Sequence, residues 1–133
     1  MPQIKGSLDT NLLLRWLTGD VPEQAMLVDQ LLASGSFRAS NLMFAEIAYV
    51  LERSWGWSRE DVCTNIELVL GHPAIFSNKL LISRAAALYV GRPSLSFVDC
   101  CLAVEAELTE ALPLYTFDKK LVNQSDGLAA LVS

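Results

Sequence analysis

Four acidic side chains stand where a carboxylate could do chemistry. Asp9 follows a short strand-like stretch and precedes an apolar, helix-prone segment, and Glu46 lies within an apolar helical stretch. Asp99 comes near the start of another helical stretch, and Asp118 directly follows a strand-like one. In sheets covered by helices, functional groups gather where a strand ends and the next helix presents unpaired N–H groups. Hard divalent cations such as Mg²⁺ and Mn²⁺ prefer oxygen ligands of this kind.

Three of these acids also have a simple structural interpretation as helix caps. Asp9 and Asp118 each precede a helix-prone segment, where Asp often accepts a hydrogen bond from the first turn. Ser96 and Asp99 have the spacing of a capping box, with Asp in place of the usual Glu or Gln. The pattern alone leaves both interpretations open for each of the three.

Glu46 is harder to explain as a structural residue. An acid in the middle of a largely apolar helical stretch is expected to be desolvated, paired or metal-bound. The structural alternative is an ion pair with an arginine such as Arg15 or Arg84.

The remaining residues exclude most other catalytic chemistry. His72 is the only histidine and lies in a helix-ending turn, so Ser-His-Asp and Cys-His catalysis are not indicated. The sequence lacks a G-x-S-x-G elbow, a P-loop and a G-x-G-x-x-G fingerprint. The three cysteines have no C-x-x-C spacing and are expected to be reduced core residues. Carboxylates are therefore the main candidates for catalysis.

Length and composition are typical of one globular domain. The chain has 133 residues, of which 52% are hydrophobic, and we expect a single domain over residues 1–133. No apolar run approaches the roughly 18 to 20 residues of a membrane span, and no secretory signal is evident, so a cytoplasmic protein is expected. The net charge of −5 argues against broad electrostatic affinity for nucleic acid.

Strand-like and helix-like stretches alternate along the whole chain. After the strand-like start at Ile4, further strands are predicted near residues 36–40, 74–76, 112–117 and 128–132. The helices after the first two are predicted near residues 41–54, 58–71, 80–89, 96–111 and 118–123. This alternation predicts an α/β fold, with a mostly parallel central sheet and helices on both of its faces.

Taken together, the motifs around the four acids resemble those of the PIN domain family. They are Asp9-Thr10-Asn11, Phe44-Ala45-Glu46-Ile47-Ala48, Ser96-Phe97-Val98-Asp99-Cys100-Cys101-Leu102-Ala103 and Thr116-Phe117-Asp118. The resemblance covers the whole chain in order and length. In pattern it is closest to the VapC-type toxins of bacterial toxin–antitoxin pairs.

The resemblance implies roles for particular residues. Asp9, Glu46, Asp99 and Asp118 would be the catalytic, metal-binding acids, with polar support from Asn11, Ser40, Ser96 and Thr116. Some relatives carry a further acid soon after the fourth one. Here Lys119 and Lys120 stand there instead, which leaves open whether one metal ion is bound or two.

The resemblance also implies an activity and partners. We expect a Mg²⁺-dependent endoribonuclease, with Mn²⁺ as a substitute, because such a metal activates water for phosphodiester hydrolysis without a histidine. Basic residues near the expected site could bind the RNA backbone: Arg15, Arg92, Lys119 and Lys120. The expected protein partners are a cognate antitoxin and a second copy of the chain. Candidate contacts of that homodimer are Met26, Trp55 and Trp57.

Other functions remain open at this stage. A PIN-fold nuclease could process RNA without any antitoxin. A regulatory module could keep the fold and bind nucleic acid or a partner without cutting, although such a module gains little from four mutually repelling acids. A phosphohydrolase acting on small phosphate esters is a third alternative, but position 11 is Asn11 where a D-x-D phosphatase motif would need an acid.

Overall fold

The computed structural model describes residues 2–133, which form an α/β fold. Its strands are β1 (Ile4–Ser7), β2 (Ser36–Arg38), β3 (Ile75–Phe76), β4 (Leu114–Thr116) and β5 (Ala129–Leu131). Its helices are α1 (Thr10–Thr18), α2 (Pro22–Ala33), α3 (Asn41–Arg53), α4 (Arg59–Leu70), α5 (Lys79–Gly91), α6 (Phe97–Leu108) and α7 (Lys119–Gln124). Within residues 2–133, none of these helices combines the length and the apolar character that a membrane crossing requires.

Contacts between residues divide the chain into two compact units, one that ends at Asn78 and one over Lys79–Ser133. The first unit contains a parallel three-stranded sheet in the order β1-β2-β3. Ser7 is the register partner of Arg38, and Arg38 is the partner of Phe76. In this sheet, two helices connect each strand to the next. They supply the long connection that a crossover between parallel strands requires.

Helices of the first unit bury their apolar sides against one another. Helix α1 contacts α2 and α3, α3 contacts α4, and α4 contacts β3. The first turns of α3 and α4 are capped, because Ser40 Oγ accepts a hydrogen bond from the N–H of Met43 and Ser58 Oγ from that of Asp61. The large side chains at the centre of this core are Leu13, Phe44, Ile47, Leu51, Val62, Ile66 and Ile75.

In the second unit, helix α5 packs against α6, and β4 pairs with β5 in a parallel two-stranded sheet. Helix α7 connects these two strands and contacts both. The rings of Tyr89 and Phe97 meet edge to face, with centroids 5.3 Å apart. Near the start of β5, buried Ser125 accepts a hydrogen bond from the Ala129 N–H at 3.1 Å.

The predicted α/β fold with parallel strands is confirmed, with two differences in detail. The strands form a three-stranded and a two-stranded sheet. Helix α6 ends at Leu108 although the pattern predicted a helix to Ala111. Glu110 adopts a left-handed conformation with φ 57°, and Pro113 disfavours helical geometry at the residue before it. The following strand therefore begins at Leu114, two residues later than predicted.

Two neighbouring positions of α4 test the assignment of its buried face. Ile66 is fully buried, whereas Leu68 is 61% exposed. We expect Ile66→Ala to lower the free energy of unfolding by about 2–5 kcal/mol, because it removes buried methyl groups and leaves a cavity. The matched control Leu68→Ala should change it by no more than about 0.5 kcal/mol. Urea denaturation measures both values, and equal losses would contradict the assigned face.

Candidate active site

The carboxyl ends of the three parallel strands of the first unit carry polar residues. The Leu8 N–H donates a hydrogen bond to the Arg38 carbonyl, and the Ala39 N–H donates one to the Phe76 carbonyl, each at 2.9 Å. Asp9 and Ser40 lie two residues after the ends of β1 and β2, and Ser77 directly follows β3. The register of the sheet therefore places Asp9 and Ser40 at the same edge, at the starts of α1 and α3.

Asp9 stands at the N-cap of α1, but its side chain does not cap the helix. Its backbone is extended (φ −85°, ψ 153°), as at other N-caps, yet its carboxylate accepts no hydrogen bond from the first turn. The side chain is exposed. The capping role that the sequence left open therefore lacks the hydrogen bond that defines it.

Glu46 is held by a hydrogen bond from the residue next to Asp9. Thr10 Oγ1 donates to Glu46 Oε1 at 3.0 Å, which brings this acid on α3 to the start of α1. Of the three states expected for Glu46, desolvation is not observed, because its side chain is exposed. Nor does it pair with either suggested arginine: Arg15 forms an ion pair with Asp20, and Arg84 forms one with Glu107.

Asp99 and Asp118, in the second unit, both cap helices. Ser96 and Asp99 form a reciprocal capping box at the start of α6, with hydrogen bonds of 3.0 and 3.3 Å. Asp118 Oδ1 accepts a hydrogen bond from the Lys120 N–H at 2.9 Å, and Thr116 Oγ1 accepts one from the Asp118 N–H at 3.0 Å. The structural alternative is thus confirmed for these two acids. Ser96 and Thr116 form hydrogen bonds with these acids, and their supporting role in a metal site stays a prediction.

Each of the four acids nevertheless keeps at least one carboxylate oxygen uncommitted. Within residues 2–133, one oxygen each of Glu46, Asp99 and Asp118 accepts a hydrogen bond, and neither oxygen of Asp9 does. In the same part of the chain none of the four forms an ion pair with Lys, Arg or His.

These uncommitted oxygens are of the donor type that Mg²⁺ and Mn²⁺ prefer. Across residues 2–133, no three His, Cys, Asp or Glu side chains are gathered closely enough to form a ready metal cluster. The fit to such a metal therefore rests on the chemistry of the donor atoms and on their freedom from other partners.

The four basic residues considered for RNA binding differ in their availability. Arg15 is paired with Asp20 and also lines a cavity of about 420 Å³ with Asn11. Arg92 is paired with Asp126 and donates a further hydrogen bond to the Gln124 carbonyl at 3.1 Å. Lys119 and Lys120, by contrast, are exposed and form no ion pair within the described residues 2–133.

The cysteines are not activated thiols. Burial, together with the negative charge of Glu105, raises the pKa of Cys101 to about 12. Burial and nearby Glu67 raise the pKa of Cys63 as well. Cys100 is fully buried. Because the thiolate is the reactive form, these surroundings suppress nucleophilic chemistry at neutral pH. The predicted core role is confirmed for Cys100, whereas Cys63 and Cys101 are only partly buried.

Two polar residues of this region were missed by the sequence analysis. Thr10 belongs to the Asp9-Thr10-Asn11 motif, but its contact with Glu46 spans 36 positions. Ser77 has a buried hydroxyl oxygen with no hydrogen-bond partner among residues 2–133, and it follows β3 as Ala39 follows β2. A hydroxyl beside an acid and a serine at a strand end were the available signals.

Asp9 and Ser40 both stand at helix N-caps, but only Ser40 forms a capping hydrogen bond. Their replacement should therefore change the free energy of unfolding by different amounts. We expect Ser40→Ala to lower the free energy of unfolding by about 1 kcal/mol, because it removes the hydrogen bond to Met43. Asp9→Ala should lower it by at most about 0.5 kcal/mol, since only the interaction with the helix dipole is lost. Urea denaturation in chelator compares the two. A larger loss for Asp9→Ala would show that Asp9 is a structural cap.

Comparisons with known proteins identify the family of this chain. A family model described as PIN domain matches residues 7–126, a range that includes all four acids. A VapC ribonuclease of Aquifex aeolicus (strain VF5) is 28% identical over 120 residues, which cover 85% of this chain and 87% of that protein. Among solved structures, none matches the chain significantly. The match to the family model spans most of the chain, and the chain therefore belongs to the PIN domain family.

Proposed function

We propose that this chain is a metal-dependent endoribonuclease and the toxin of a toxin–antitoxin pair. Membership of the PIN domain family supports a nuclease, and the similarity to a VapC ribonuclease supports RNA as the substrate. The observation that carries the proposal is the state of Asp9, Glu46, Asp99 and Asp118. Four arginines are paired with other acids, while these four carboxylates have no cationic partner within residues 2–133.

The four acids are the proposed ligands of Mg²⁺, with Mn²⁺ as a substitute. A metal bound by them would activate water and stabilise the departing oxygen of a phosphodiester. Because hard cations prefer carboxylate oxygens, the uncommitted oxygens of these side chains suit this role.

The hydrogen bonds to the acids limit the motion of their side chains. Thr10 donates to Glu46, the Ser96 N–H donates to Asp99, and the Lys120 N–H donates to Asp118. In each case one oxygen is held and the other stays available. Supporting contacts of this kind orient metal ligands and increase their affinity. Asn11 and Ser40 complete the proposed set of supporting residues.

RNA binding is proposed to rely on basic residues around the acids. Lys119 and Lys120 have free ammonium groups and follow Asp118 directly, so they can bind phosphates next to the bond that is cut. Arg15 and Arg92 can contribute only by sharing their guanidinium groups with Asp20 and Asp126.

Replacing one acid by its amide tests the proposed activity. We expect Asp99→Asn to lower the rate of RNA cleavage by more than the about 10- to 100-fold typical of a supporting residue. The amide keeps the size of the side chain and can still accept from Ser96, but it loses the charge. Glu105→Gln, an exposed acid on the same helix, is the matched control and should cleave like the wild type. Cleavage is followed by gel electrophoresis with Mg²⁺, Mn²⁺ or chelator.

Full activity of Asp99→Asn, or cleavage unaffected by chelator, would contradict the proposed metal site. A chromogenic phosphate ester is incubated in parallel. Hydrolysis of the ester without cleavage of RNA would assign the carboxylates to a small-molecule phosphohydrolase instead.

The proposed partners are an antitoxin and a second copy of the chain. Met26 and Trp55 are 56% and 42% exposed and Trp57 is half-buried, which makes the first two available as contacts in a homodimer.

Co-expression tests the antitoxin. We expect the product of the adjacent gene to co-purify with the chain in a stable complex that does not cleave RNA. The reason is that a partner covering the acids would exclude the substrate. The chain expressed alone is the control. Recovery of free, active chain from the co-expression would contradict the pairing and would favour an RNA-processing nuclease without an antitoxin.

A further inference from the structure

Two exposed aromatic side chains flank Thr116, just before the proposed metal ligand Asp118. Tyr115 on β4 is 67% exposed, and Phe117, directly after this strand, is 82% exposed. Within the described residues neither ring stacks on another aromatic ring or on a cation. Removal of apolar surface from water is favourable, so these two rings, two positions apart in the chain, are available to stack on a ligand.

Within residues 2–133, the fold covers less than half of either side chain. The register partner of Tyr115 on β5 is Ala130, whose small side chain cannot cover a phenol ring. Phe117 lies in a bend between β4 and α7, whose buried contact is supplied by Leu121. Neither aromatic side chain is therefore needed for the core of the second unit.

The charges next to the rings favour an anionic ligand. Lys119 and Lys120 follow within three residues of Phe117, are exposed, and have no ion-pair partner within residues 2–133. Proteins that bind single-stranded nucleic acid combine such cations, which contact phosphates, with aromatic rings on which bases stack. An apolar protein partner would use the rings but would leave both ammonium groups without a counterpart.

We propose that Tyr115 and Phe117, the aromatic pair, stack on unpaired bases of single-stranded RNA while Lys119 and Lys120 bind the adjoining phosphates. This inference rests on the proposed ribonuclease function and assigns a base-stacking role to two side chains beside the proposed metal ligand Asp118. Phe117 adjoins Asp118, and consecutive Cα atoms are about 3.8 Å apart. A base stacked on this ring therefore belongs to a nucleotide close to the phosphodiester that the acids address. Bases in a duplex are stacked on one another and therefore cannot stack on the aromatic pair.

Binding is measured separately from cleavage. The full chain is titrated in chelator, so that nothing is cut, into an unstructured RNA oligonucleotide that contains 2-aminopurine, and into the same RNA annealed to its complement. We expect fluorescence quenching and tighter binding with the single strand. Phe117→Ala and Tyr115→Ala should each weaken binding of the single strand by about 5- to 150-fold, the range expected for the loss of one stacked base.

Two conservative variants separate stacking from general apolar contact. Phe117→Tyr keeps a ring and should bind like the wild type, whereas Phe117→Leu keeps apolar bulk and should bind like Phe117→Ala. Leu68→Ala removes an exposed apolar side chain from α4 and is the surface control, with unchanged binding expected. Circular dichroism of all variants verifies that these exposed positions leave the fold intact.

Salt dependence separates the rings from the lysines. For single strands, the slope of log K against log salt changes by about 0.7 for each phosphate contact. Lys119→Ala and Lys120→Ala should each reduce the slope by about this amount. Phe117→Ala should lower the affinity at every salt concentration without changing the slope, because stacking releases no counterions.

Several outcomes would overturn the proposed role of the aromatic pair. They are wild-type binding by Phe117→Ala, equal binding by Phe117→Leu and Phe117→Tyr, or no preference of the wild type for the single strand. If Phe117→Ala binds RNA normally but no longer co-purifies with the antitoxin, the rings belong to a protein interface. These results are distinct from a failure of the proposed function. If the wild-type chain binds single strands but does not cut them, the role of the aromatic pair is supported and the nuclease activity is contradicted.

Discussion

The parallel pairing of β1 with β2 is the constraint on which the first unit of the structure depends. The strands are parallel, and Ser7 is in register with Arg38. Both strands therefore end at the same side of the sheet, where Asp9 follows β1 and Ser40 follows β2. The helices that follow, α1 and α3, then start side by side. This arrangement allows Thr10 to reach Glu46. An antiparallel pairing would have put the two helix starts at opposite ends of the strands.

The distribution of ion pairs separates the acids of the fold from the acids of the candidate site. Asp20, Glu52, Glu107 and Asp126 each have an arginine partner. These pairs lie near the surface, where an ion pair contributes only about 0 to 1 kcal/mol. Their importance is therefore in the placement of charge rather than in stability: these four arginines pair with other acids, and the four acids of the candidate site have no ion-pair partner within residues 2–133.

Helix capping does not conflict with the proposed metal binding, because a carboxylate has two oxygens. In Asp99 and Asp118 one oxygen bonds to a backbone N–H, and the other remains without a partner in the described residues. The bonded oxygen restricts the side chain to few rotamers, which lowers the entropy that a ligand must remove when it binds. Asp9 differs, because its carboxylate accepts no capping hydrogen bond from the first turn of α1.

Features that depend on neighbouring residues could be predicted from the sequence alone. Alternating apolar patterns predicted the order of strands and helices, and the Ser96–Asp99 spacing predicted a capping box, because these follow from contacts within one helical turn. The motifs around the four acids indicated the family. Only the tertiary structure decided which distant groups meet: Thr10 with Glu46, Arg84 with Glu107 and Arg92 with Asp126. The structure also shows that the Asp9 carboxylate does not cap α1 and that the Glu46 side chain is exposed to solvent. Such outcomes depend on which helix faces pack together, and a pattern of residue types along the chain does not specify that packing.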